Sequence, residues 1–163
     1  MSDIIIIDTG AGITDSVLEF LAASSEVILV ATPEPTSITD AYALLKTLNR
    51  KSDFSIDDTV IKMIANRLTP DDDGEELYDK LSIVVKRFLK LKLEYIGSIP
   101  MDNTVSKAVM LQKPAICAYP NSKFSKQIIN FAEKLSNTNQ EIIEERKGIA
   151  QLFSNLLKSR IKK

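Results

Sequence analysis

The sequence predicts an α/β fold in three layers, a mostly parallel β-sheet with helices on both faces. Two observations carry this. Short β-branched apolar runs alternate with stretches of helical periodicity, and strand-helix-strand repetition is how a chain builds a parallel sheet. The runs are also continuous, without polar alternation, as expected of strands covered on both sides.

Taken in order, Ile4-Ile-Ile-Ile7 is the first predicted strand and Val27-Ile-Leu-Val30 the second. Val60 to Ala65 is the third, interrupted by Lys62, and Leu93 to Ile99 the fourth. Ala115 to Tyr119, after Pro114, is a weaker fifth. Helical patterns fill the intervals at Asp15 to Ala23, Ser37 to Leu48, Glu75 to Leu89, Val105 to Leu111 and Lys123 to Leu135. Ser37-Ile-Thr-Asp40 reads as a capping box. Asp71-Asp72-Asp73-Gly74 places negative charge at a helix N-terminus, where the dipole favours it, and reads as a solvated helix start. Met101, Met110 and Cys117 read as packing residues, Cys117 within the fifth strand.

The totals narrow the function classes. A chain of 163 residues, 44% hydrophobic, suits one domain with a sizeable core. A net charge of -1, from 21 basic and 22 acidic residues, lacks the basic excess of a domain that coats nucleic acid. The absence of histidine excludes a His-based triad and His metal sites, and a single cysteine excludes an internal disulfide and a Cys-based zinc site. The chain opens Met1-Ser2-Asp3 with no basic n-region and no long apolar stretch, so it is expected to be cytoplasmic.

Ligands of open parallel sheets bind beyond the carboxyl ends of the strands. The residues there are Asp8-Thr-Gly10-Ala-Gly12, Thr32-Pro-Glu34, Asn66-Arg67 and Pro100-Met101-Asp102. A carboxylate ending an apolar strand suits a hydrated magnesium ion, and the glycines after it let backbone amides approach a phosphate. The plainer reading is that Asp8 caps a turn, Asn66-Arg67 forms a strand-end turn and Pro100 ends a strand. Asp8, Thr32 and Lys113 also mimic a phosphoacceptor receiver, without its upstream acidic pair.

These segments carry a resemblance. Ile4 to Gly12 resembles the Walker B and switch II segment of the MinD/ParA deviant-Walker ATPases. Thr32-Pro-Glu-Pro-Thr-Ser-Ile-Thr-Asp-Ala41 resembles the flagellar-number regulator branch of that family (FlhG, also called YlxH). Tyr95-Ile-Gly-Ser-Ile-Pro-Met-Asp102 is similar to the family's adenine-side loop, and Asn66-Arg67 to its Asn-Arg strand end. The resemblance implies a P-loop NTPase fold of the SIMIBI type, with ATP and magnesium as cofactors. Asp8 would hold the metal's shell, Gly10 would lie near the γ-phosphate, Asn66 with Arg67 would meet adenine, and Pro100, Met101 and Asp102 would flank base or ribose. Implied partners are a second copy or an N-terminal half carrying the phosphate loop, a signal-recognition-type GTPase and flagellar basal-body proteins.

The family's phosphate loop, G-x-x-x-x-G-K-[ST], has no counterpart, because glycine occurs only at 10, 12, 74, 97 and 148 and none precedes Lys-Ser or Lys-Thr. The chain alone is therefore expected not to hydrolyse ATP. The Ile4–Ile7 strand is expected to sit at an exposed edge, in a rearranged sheet, or against a partner. Residues 1–137 read as a partial nucleotide-binding domain and 138–163 as a basic amphipathic helix, expected either to pack on the domain or to lie on the inner face of the cell membrane.

Overall fold

The computed structural model describes residues 4–55 and 59–139. The amphipathic stripe expected beyond residue 139 lies outside the described residues. The elements are α1 (Asp15–Ala23), β1 (Glu26–Ala31), α2 (Pro35–Leu48), β2 (Val60–Leu68), α3 (Gly74–Leu89), β3 (Leu93–Pro100), α4 (Asn103–Met110), α5 (Ala115–Ala118) and α6 (Lys123–Asn139). The three strands form one sheet in the order β1-β2-β3, parallel throughout.

The main core lies on one face of the sheet. Val27, Leu29 and Ala31 of β1 and Ile61, Met63 and Ala65 of β2 meet Ala41 and Leu45 of α2 and Leu77, Leu81, Val85 and Leu89 of α3. The α3 residues recur at four-residue steps, the spacing of one helix face. The helix is also well terminated. Asp73 accepts hydrogen bonds from the Glu75 and Glu76 amides, and Lys90 closes the C-terminus in the left-handed region at φ 58°. On the opposite face a smaller core forms where Phe131 of α6 meets Ile64 and Ile99.

That second cover reaches β2 and β3 but stops short of β1. Ile28 and Val30, which share the α6 side of the sheet, remain 44% and 52% exposed. The continuous apolar run in β1 is thus covered on one face only. Lys62, which interrupts the apolar run of β2, is buried. It shares its face with Ile64, and its Nζ lies 3.2 Å from a carboxylate oxygen of Glu26. A lysine is tolerated in a central strand when its charge is paired in this way.

Several expectations are corrected. Ile4–Ile7 belongs to no strand, and Ile6 is 88% exposed. A strand is held by ladder bonds to a neighbour, and among the described residues the ladder joins only β1 to β2 and β2 to β3. The sheet is not rearranged to take the run in. Ala115–Ala118 is a short helix, with the Cys117 and Ala118 amides both donating to the Pro114 carbonyl. A short apolar run cannot be assigned to strand or helix by periodicity alone. Cys117 is exposed and is not core filler, and Met101 and Met110 are exposed as well. Ser37 does not cap α2. Glu34 holds the cap position with Pro35 at the first helical position, where its fixed φ is favourable, and the Ser37 hydroxyl instead accepts from the Thr32 amide at 3.0 Å.

Gly97 fixes how closely α6 approaches the sheet. Between Met63 and Ile64 of β2 the β3 register steps from Tyr95 to Gly97, leaving Ile96 as a bulge. Gly97 has φ 136°, and a Cβ built there would lie 2.9 Å from the Phe131 ring. Gly97→Ala is expected to lose about 2 kcal/mol or more in urea unfolding, from backbone strain and overpacking together. At Gly10 a Cβ would meet nothing within 4 Å, so Gly10→Ala should stay within about 0.5 kcal/mol of the unaltered chain.

Candidate functional site

Parallel strands deliver their C-terminal ends to one end of the sheet, and two cavities open there. The first, of about 770 Å³, lies between the 11–13 segment, the tip of β1 and the start of α2. Gly12, Thr32, Glu34, Ser37, Asp40 and Arg67 are among its lining residues. The second, of about 540 Å³, lies at the tips of β2 and β3 and is lined by Leu68, Thr69, Pro70, Met101, Asp102, Asn103 and Lys123.

Arg67 reaches the first cavity because of a backbone irregularity. The register between β2 and β3 passes from Asn66 opposite Ile99 to Leu68 opposite Pro100, so Arg67 has no counterpart in β3. Its φ of 61° is uncommon for a residue with a Cβ. The Asn66 side-chain oxygen accepts from the Arg67 amide at 2.9 Å and steadies the turn, which leaves the carboxamide nitrogen of Asn66 as its donor for any ligand. The Arg67 guanidinium lies 3.9 Å from Glu34, and both side chains are more than half exposed. Such a contact contributes little to stability, but it brings a positive fork to the β1 tip, where the Thr32 hydroxyl also donates to Glu34.

Asp102 organises the second cavity. One carboxylate oxygen accepts from the Thr104 amide at 2.9 Å and the Thr104 hydroxyl at 2.6 Å, which caps α4. The other accepts from the Phe124 amide at 3.2 Å, in the first turn of α6. A single side chain therefore ends the β3–α4 loop and clips it to α6. The Thr104 side-chain and backbone bonds, with that from Phe124, hold the Asp102 carboxyl below the usual carboxylate range. Next to it the Met101 amide donates to the Leu68 carbonyl at 2.8 Å, tying the β2 and β3 tips together.

The residues singled out in the sequence thus divide. Arg67 lines the first cavity together with Gly12, and Met101 and Asp102 line the second. Asp8, Gly10, Asn66 and Pro100 line neither. Asp8 and Gly10 are exposed in the segment that joins no strand. Among the described residues, no group of three or more His, Cys, Asp or Glu side chains converges to hold a metal ion. Two charged cavity residues are not among those singled out from the sequence. Lys123 follows the Pro120-Asn-Ser122 turn that begins α6, which marks it as a helix-start residue at the same rim. Asp40 sat inside the Thr32–Ala41 run but was read as part of a cap.

Comparison with known proteins places this rim in context. Residues 1–136 match the ParA family, described as NUBPL iron-transfer P-loop NTPases. The antiactivator FleN of Pseudomonas aeruginosa is 44% identical over 135 residues, covering 83% of this chain and 47% of that protein. The flagellum site-determining protein YlxH of Helicobacter pylori is 35% identical over 161 residues, covering 96% of this chain and 52% of its own length. The septum site-determining protein MinD of Thermotoga maritima is 30% identical over 135 residues, 82% of this chain and 46% of that protein. The chain spans about half the length of the curated relatives it matches.

The lowered Asp102 pKa gives the cap a pH signature. Because the folded state holds the carboxylate more firmly than the unfolded chain does, the stability from Asp102 is complete above the unfolded pKa and disappears as pH falls through the folded one. Thermal unfolding of the unaltered chain and of Asp102→Ala should differ by a constant amount from neutral pH down to about 5, with the two curves converging below about pH 4. A gap that persists in acid would show that the carboxylate charge is not what the cap uses.

Proposed function

The chain belongs to the ParA family of P-loop NTPases and is homologous to flagellar regulators and to MinD, and from that premise we propose that it is the C-terminal portion of a MinD-like ATP-binding protein that regulates flagellar placement or number. The observation that carries this is the ranking of relatives. Identity is 44% over 135 residues and 35% over 161 residues to two flagellar proteins, and 30% over 135 residues to MinD.

In this reading the chain supplies half of a nucleotide site. Asp8 would hold a magnesium ion through its carboxylate, since this metal keeps much of its water and needs only one or two protein carboxylates beside phosphate oxygens. The bound ion would neutralise charge on the phosphates. Gly10 and Gly12 let the backbone come close to the terminal phosphate. Asn66 and Arg67 offer donors to adenine, and Pro100, Met101 and Asp102 border the base or ribose from the second cavity.

The phosphate loop would come from an N-terminal half. In this reading its place is the outer edge of β1, which has no ladder partner among the described residues; Ile28 and Val30 are exposed on the sheet face there, and the Ile4–Ile7 run is exposed as well. A strand inserted there would pair with β1 and give Ile4–Ile7 a neighbour, converting exposed apolar surface into a covered sheet. The complete protein would bind magnesium-ATP, form a homodimer, and meet a signal-recognition-type GTPase and flagellar basal-body proteins, with residues 140–163 as its contact to the inner membrane face. Among the described residues no helix is long and apolar enough to cross a membrane.

A second reading is favoured by one observation, that the sequence contains no G-x-x-x-x-G-K-[ST]. In it the chain is a protein-interaction module that keeps the family's partner-binding surface without ATP chemistry.

Mixing the purified chain with a separately produced N-terminal half bearing the phosphate loop separates the two readings. Magnesium-dependent ATP binding should appear only in the mixture, followed by titration of a fluorescent ATP analogue. Asp8→Ala should lower turnover by the mixture by roughly 100-fold or more, the loss expected when a metal's charge stabilisation is removed. Turnover by the chain alone would overturn the half-site reading, and a mixture that forms a complex without binding ATP would support the interaction module.

A further inference from the structure

We propose that the corner joining α4 to α5 is a lipid-facing surface that docks on an anionic bilayer, by a contact separate from residues 140–163. The sequence from 103 to 132 contains Lys107, Lys113, Lys123 and Lys126 and no Asp or Glu, in a chain whose net charge is -1. All four lysines are exposed. The six residues from Val109 to Pro114 are exposed without interruption. Three of them are bulky and apolar: Val109 at 70%, Met110 at 84% and Leu111 at 55%, with Ile116 at 42% beside them.

The corner is built to hold these side chains outward. Ala108 is buried and anchors the end of α4. Gln112 turns the chain at φ 51°. The amides of Leu111, Gln112 and Lys113 donate to the carbonyls of Lys107, Val109 and Ala108 at 3.1, 2.9 and 3.1 Å. The turn therefore carries these donors already satisfied, which is what a backbone needs if it is to approach the acyl region.

The shape and charge select the occupant. Neither of the two rim cavities includes a corner residue, and Val109 to Pro114 are exposed without interruption, whereas a peptide strand or helix seats its side chains in a groove or at a sheet edge. A nucleic acid would use the lysines and leave the apolar tip in water. A bilayer with anionic headgroups uses both, placing Met110 and Leu111 at the acyl boundary while Lys107 and Lys113 meet the headgroups. This docking needs no nucleotide and stands independently of the ATP site.

The chain contains no tryptophan, so Met110→Trp introduces a single reporter at the tip and Lys46→Trp a control on α2. With vesicles of phosphatidylcholine and phosphatidylglycerol, the indole at position 110 should shift its emission to the blue and be quenched by brominated acyl chains. The α2 indole should do neither. Vesicles of phosphatidylcholine alone should give no shift, and Lys107→Glu with Lys113→Glu should weaken partitioning at least about tenfold, with the far-UV circular dichroism unchanged. The proposal is overturned if the chain sediments with anionic vesicles while the indole at 110 stays unshifted, since another segment is then the contact. It is equally overturned if the chain ignores the vesicles, or if an acidic peptide without lipid produces the shift.

Discussion

The rim depends on β2 being hydrogen-bonded in parallel on both sides. Its residues from Val60 to Ala65 pair with Glu26 to Ala31 of β1, and Ile61 to Leu68 pair with Leu93 to Pro100 of β3. Parallel pairing sends all three chains in one direction, so the loops after Ala31, Leu68 and Pro100 must gather at one end. Both cavities lie there. The same strand receives α2 and α3 on one face and α6 on the other, so burial at its centre positions the elements that carry Arg67, Asp102 and Lys123.

At this rim, backbone irregularity and side-chain chemistry act together. Arg67 enters the first cavity only because β2 carries an extra residue, and the Asn66 carboxamide holds that residue in a left-handed turn. Asp102 spends both carboxylate oxygens on capping α4 and clipping α6. Its contribution to the second cavity is thereby one of shape and fixed charge, with little lone-pair capacity left for a ligand. The second cavity is accordingly a rigid wall, whereas the first is bordered by a segment that joins no strand.

Much of this was legible in the sequence. The bounds of α1, the acidic start of α3 and three of the strands follow from apolar periodicity and from Asp73 ahead of Gly74. What failed did so for physical reasons. Ile4–Ile7 has every local property of a strand, but a strand is completed by a neighbour, and residue type cannot say whether one is present. Ala115–Ala118 was too short for its period to be read. Asn66-Arg67 suggested a strand-end turn, but an arginine in the left-handed region carries no compositional mark, so the bulge at Arg67 was not legible. The dual cap of Asp102 was half visible: Asp-x-Thr before a helix is a capping pattern, but the clip to α6 joins residues 22 apart in sequence.

The pairing of buried Lys62 with the partly exposed Glu26 has one more consequence. Side chains alternate across a sheet with a period of two, so a slip of one residue would turn the Lys62 ammonium into the Leu45 and Leu81 layer, away from its carboxylate. Most of the β1 and β2 side chains are interchangeable aliphatics that would tolerate such misalignment. This one charged couple makes the wrong alignment costly, and so serves the assembling sheet as a proofreading mark.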